Sequence, residues 1–76
     1  MVHAFIMVKT AAGKSEGLLS SIRELAPIVD AHIVAGNYDI IAEVEAEEVY
    51  EVLKVVSSNI QSLDGVTDTK TYIAMD

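Results

Sequence analysis

Apolar and polar residues alternate from the start of the chain. Val2, Ala4, Ile6 and Val8 fall on one side and His3, Phe5, Met7 and Lys9 on the other, which predicts a strand over 2–9. Thr10-Ala11-Ala12-Gly13 reads as a loop. The spacing then changes to that of a helix over 14–26, with Leu18, Ile22 and Leu25 on the buried stripe and Leu19 and Ala26 beside them. Pro27 ends this helix, since it has no N–H and disfavours helical geometry in the residue before it. A second strand is expected over 28–35, with Val29, Ala31, Ile33 and Ala35 on one side and Ile28, Asp30, His32 and Val34 on the other. After Gly36-Asn37-Tyr38 a third strand covers 39–45. A second helix over 46–59 presents Val49, Val52, Leu53, Val56 and Ile60 on one face and Glu47, Glu48, Glu51 and Lys54 on the opposite, solvated one. Ser62-Leu63-Asp64-Gly65 is a turn, and 66–75 is the last strand.

The order is β-α-β-β-α-β. Two right-handed crossovers sharing a hairpin give an α+β, ferredoxin-like sandwich: a four-stranded antiparallel sheet with both helices on one face. The other face is then uncovered, and Phe5, Met7 and Tyr72 lie on it in water or against a partner. An apolar patch on so small a domain marks an interface, so the expected state is at least a homodimer through the sheet.

Composition narrows the function. Seventy-six residues make one domain, 1–76, which is marginal alone and gains from oligomerising. No apolar run reaches the length of a membrane span, no signal peptide opens the chain, and there is no Cys, so the chain reads as soluble and cytoplasmic. Twelve acidic residues against five scattered basic ones give a net charge of −7, which opposes direct nucleic-acid binding.

No catalytic set emerges. Glu43 and Glu45 share a strand face and Glu47 and Glu48 start a helix, where carboxylates suit the helix dipole, and no His or nucleophile is evidently paired with them. His3 and His32 are the only imidazoles, too few for a metal site by sequence, so neither a metal nor a cofactor is expected. The loop 10–14 lacks the Arg that an acylphosphatase loop carries; the only Arg is Arg23, inside the first helix.

Two features remain. Gly36-Asn37-Tyr38-Asp39 has the composition of a tight reversal with exposed amides. Thr67, Thr69 and Thr71 alternate on the last strand, as good strand formers or as a ladder of hydroxyls for a polar ligand. Beside the hairpin of a neighbouring subunit, that ladder would complete a pocket for a zwitterion. Asp39 would attract an ammonium group and the amides near Gly36 and Tyr38 a carboxylate.

The run His32-Ile33-Val34-Ala35-Gly36-Asn37-Tyr38-Asp39-Ile40-Ile41, with Gly65-Val66 and Thr69-Lys70-Thr71, resembles the effector (RAM) domain of the Lrp/AsnC transcription regulators across essentially the whole chain. The resemblance implies a ligand loop of Gly36, Asn37, Tyr38 and Asp39, with Thr69 and Thr71 as polar partners. It also implies dimers that assemble into octamer-like rings, with an amino acid held at the dimer–dimer contact. Ala35 departs from the Ser or Thr that often precedes the glycine. The chain starts at the first strand with no helix-turn-helix, and so reads as a stand-alone effector domain that acts by ligand binding and co-assembly with full-length regulators. The alternatives are an adaptor module without ligand, a dimeric α+β barrel enzyme using His3, His32 or Tyr72, and an ACT-type domain with its ligand at a helix–strand loop.

Overall fold

The computed structural model describes all 76 residues. The strands are β1 (Val2–Thr10), β2 (Ile28–Ile33), β3 (Ile40–Ala46) and β4 (Val66–Ile73), paired antiparallel in the order β2-β3-β1-β4. α1 (Ser15–Arg23) and α2 (Val49–Lys54), which widens into a π-helical segment over Val55–Ile60, supply the core side chains opposite the sheet. This is the ferredoxin-like arrangement that the hydrophobic pattern predicts.

The alternation in β1 carries through: Ala4, Ile6 and Val8 are fully buried, opposite Val44, Ala42 and Ile40 of β3. Leu18 and Ile22 of α1 and Val52, Val55, Val56 and Ile60 of the second helix close over them. Every buried residue is apolar and no buried side-chain polar atom lacks a partner. The structure thus keeps burial and hydrogen bonding separate, as a small core requires.

Three details differ from the pattern. β2 carries a bulge between Ile28 and Asp30, so Ile28 stands opposite Val44 and Ala31 opposite Ala42. An extra residue reverses side-chain parity, so Ile28 joins Ala31 on the core side and Val29 is left half exposed. α1 ends at Arg23, before the predicted 26. Its last turn tightens to bonds from Glu24 N to Ser21 O and from Leu25 N to Ile22 O, and Arg23 donates two hydrogen bonds to Ala31 O at 3.1 and 2.8 Å. Ala26, expected on the stripe, is exposed and precedes a cis peptide bond to Pro27.

The third difference is in the second helix. It starts at a capping box in which the Glu48 side chain meets the N3 amide and Glu51 returns to the Glu48 amide at 3.1 Å. It then passes into π geometry, seen in the bond from Gln61 N to Val56 O. The buried stripe runs through Val52, Val55, Val56 and Ile60. Val55 moves in, while Val49 and Leu53, both expected in the core, are 44% and 52% exposed.

Candidate functional site

The register sorts the polar residues by face. His3, Phe5, Met7 and Lys9 of β1 lie on the open face. With them are Glu45, Glu43 and Ile41 of β3, Asp30 and His32 of β2, and Tyr72, Lys70 and Asp68 of β4. Thr69 and Thr71 stand opposite Val8 and Ile6, on the helix-covered face. Thr69 there accepts a hydrogen bond from Gln61 Nε2 at 2.9 Å. Thr67 falls where the β1–β4 pairing shifts, and its hydroxyl donates to Lys9 O at 3.2 Å.

The segment 34–39 is a hairpin closed by Val34 N donating to Asp39 O at 2.9 Å. Asp39 ties it to β1. Its amide donates to Val8 O at 2.9 Å, and its carboxylate Oδ2 accepts from Thr10 N at 2.8 Å and Thr10 Oγ1 at 3.3 Å. Lys9 Nζ donates to Asn37 O at 2.8 Å and lies 5.8 Å from the Tyr38 ring centroid. The amides of Ala35, Gly36, Asn37 and Tyr38 find no acceptor within the chain. They form one run of unpaired donors at the rim of the open face.

Beside this run is an open concavity of about 490 Å³. It is lined by Val34, Ala35, Gly36, Asn37, Tyr38, Met7, Ile41, Lys70 and Tyr72. Gly36, Asn37 and Tyr38 therefore share one surface. Asp39 is adjacent in sequence but its carboxylate is held by Thr10. Thr69 and Thr71 are not brought to this concavity by their own chain; Lys70 and Tyr72 are the β4 residues that reach it. Alternation alone could have assigned them, because Lys70 and Tyr72 stand opposite Met7 and Phe5.

Gly36 has no need of being glycine within one chain. The left-handed glycines are Gly13 and Gly65, and a Cβ added at Gly36 meets no atom within 4 Å. At Gly65, by contrast, φ is +101° and a Cβ would lie 3.1 Å from Lys14 Cγ. Backbone freedom accounts for Gly65. Gly36, like Gly17, borders open space.

Two imidazole–carboxylate pairs lie farther along the open face. His3 Nε2 donates to Glu43 Oε2 at 2.6 Å and His32 Nε2 to Asp30 Oδ2 at 2.9 Å. The pairing of His3 with Glu43 corrects the expectation that these carboxylates have no His partner; the contact joins residues 40 apart and needs the register to be known. The His32 hydrogen bond holds the exposed Asp30 carboxyl below its ordinary range. The Ala31 amide adds to the effect; desolvation opposes it, and the His32 and Arg23 charges lower the pKa further by smaller amounts. No helix is long and apolar enough to cross a membrane.

A ferredoxin-like sandwich with a lined concavity and free amides at its central hairpin defines the class as a small α+β domain with an open sheet face. The chain belongs to the Lrp/AsnC ligand-binding domain family, whose model matches residues 3–76. It is 30% identical over 57 residues to the leucine-responsive regulatory protein of Haemophilus influenzae, an alignment covering 75% of this chain and 34% of that protein. It is similar to the solved structure of TTHA0845 from Thermus thermophilus, with a TM-score of 0.96 and 33% identity over 100% of this chain and 95% of that one. The transcriptional regulator NMB0573 of Neisseria meningitidis, solved in complex with L-Met, shares the fold at a TM-score of 0.87. Its identity is 19%, over 99% of this chain and 50% of that one. The chain spans about a third of the length of the curated leucine-responsive relatives it matches. The part of those regulators that it matches is the ligand-binding domain.

Proposed function

We propose that the domain senses an amino acid at the β2–β3 hairpin and passes binding on through self-association. The observation that carries this is the hairpin glycine. Gly36 has neither a left-handed φ nor a crowded Cβ position, and it lies in a run of four amides without acceptors. A carboxylate suits those amides and the Lys70 ammonium, and an apolar side chain suits Met7, Ile41 and Tyr72. The relative solved with L-Met lends this reading its ligand class.

Thr69 and Thr71 enter such a site from a second copy. The ligand loop is then Gly36, Asn37, Tyr38 and Asp39, with Asp39 shaping the hairpin through Thr10 as well as adding negative charge. Dimers form through the open sheet face, where Tyr72 is 56% exposed beside Phe5 and Met7, and they assemble further into an octamer-like ring. Regulation of transcription or metabolism proceeds by co-assembly with full-length regulators in the cytoplasm rather than by catalysis. Direct DNA contact is opposed by the net charge of −7.

A second reading, an adaptor without ligand, is favoured by one observation: the Asp39 carboxylate is already engaged by Thr10. Calorimetric titration with the twenty amino acids, paired with native mass measurement, separates the two. The sensing reading expects heat from one or a few amino acids and a shifted oligomer distribution. A folded oligomer silent to all of them overturns it in favour of the adaptor.

A further inference from the structure

The pair His3–Glu43 is part of a larger group. One donor atom from each of His3, Glu43 and Glu45 lies within 4.8 Å of the other two. The sheet itself makes this arrangement. His3 stands directly opposite Glu45 across the β1–β3 ladder, and Glu43 follows two residues along on the same face. Both carboxylates belong to the rigid central part of the sheet rather than to a loop. The only ion pairs in the chain are His3–Glu43 and His32–Asp30, so no Lys or Arg neutralises Glu43 or Glu45. Two adjacent carboxylates on a chain of net charge −7 thus have one imidazole beside them, hydrogen-bonded to Glu43.

We propose that His3, Glu43 and Glu45 form a binding site for a divalent transition-metal ion of the zinc type. One imidazole nitrogen and two carboxylate oxygens suit Zn²⁺, Co²⁺ or Mn²⁺ and leave positions open for water or for a donor from a second copy. Oxygen and nitrogen ligands around zinc sit roughly 3.3–3.5 Å apart, given bonds of about 2.0–2.2 Å. The His3–Glu43 contact therefore opens by about 1 Å and the Glu45 side chain rotates inward, both within reach of ordinary rotamers. A cation takes the place of the His3–Glu43 hydrogen bond and offsets the repulsion between the two carboxylates. The site lies at the other end of the open face from the hairpin and does not depend on what the hairpin binds.

The test is titration of the tag-free 76-residue chain with ZnCl₂ by calorimetry, and with CoCl₂ by visible absorption. The expected result is one Zn²⁺ per chain with a Kd in the micromolar range and affinities in the order Mn²⁺ below Co²⁺ below Zn²⁺. His3→Ala and Glu45→Gln each weaken binding by at least about tenfold, and His32→Ala leaves it unchanged. Glu45 is exposed, so its variant keeps the test open if His3→Ala folds poorly. Absence of binding at millimolar Zn²⁺, equal affinity in wild type and Glu45→Gln, or loss on His32→Ala overturns the proposal.

Discussion

The two faces of the sheet obey different rules. On the helix-covered face Ala4, Ile6, Val8, Ile40, Ala42 and Val44 are closed off completely, and the side chains of both helices pack over them. On the open face the same strands present Phe5, Met7, Ile41 and Tyr72, two His–carboxylate pairs, Lys9, Lys70 and an unpaired run of amides. The first face holds the fold together within one chain. The second is chemically rich and is left open by the chain's own helices. The two glycines repeat the contrast: Gly65 is demanded by its own φ and by Lys14 and Leu18, whereas Gly36 borders open space.

The largest expected effect comes from the closed face. Ile22→Ala removes a fully buried side chain of α1 and should cost about 2–5 kcal/mol in chemical unfolding. An effect as small as that of a surface substitution would break the division between the faces. Gly65→Ala should destabilise by more than about 1 kcal/mol, because φ of +101° and the 3.1 Å approach to Lys14 Cγ both oppose a Cβ. Tyr72→Ala should leave monomer unfolding nearly unchanged and weaken self-association by about 1 kcal/mol or more, read by sedimentation across a dilution series. Gly36→Ala sharpens the contrast in the opposite sense. It should raise stability by about 0.4–1 kcal/mol through the unfolded chain, and lower ligand affinity.

The smallest effect is electrostatic. The depressed carboxyl of Asp30 means that the folded state binds its proton less readily than the unfolded one. Its contribution to stability is present above the unfolded value and is lost as pH falls through the folded one. Followed by carbon shifts in an acid titration, Asp30 should move back toward the ordinary carboxylate range in His32→Ala. An unmoved Asp30 would deny His32 its role.

Much of the closed face was legible in the sequence, because its period-2 and period-3.6 signals come from burial against the chain's own residues. β1, the element order and the stripe Leu18–Ile22 follow directly. What escaped were local changes of parity and pitch. The bulge at Ile28–Asp30 adds one residue and reverses a side, and the second helix buries Val55 and leaves Leu53 exposed. Neither leaves a compositional mark. The open face was less legible since its contacts join distant residues: His3 meets Glu43 only once the β1–β3 register is set. The hairpin was recognisable by its glycine and Asp, yet Asp39's bond to Thr10 depends on where β1 ends. Lys70 and Tyr72 reach the hairpin within the chain, whereas Thr69 and Thr71 lie on the other face.

The central claim is that the hairpin amides receive a ligand carboxylate. Amide shift mapping on the isotope-labelled chain, titrated with each of the twenty amino acids, tests it most directly. Saturable shifts are expected for at least one amino acid, concentrated at Ala35, Gly36, Asn37 and Tyr38 and extending to Lys70 and Tyr72, and lost in Gly36→Ala. Shifts that centre elsewhere, or none from any amino acid, would contradict it.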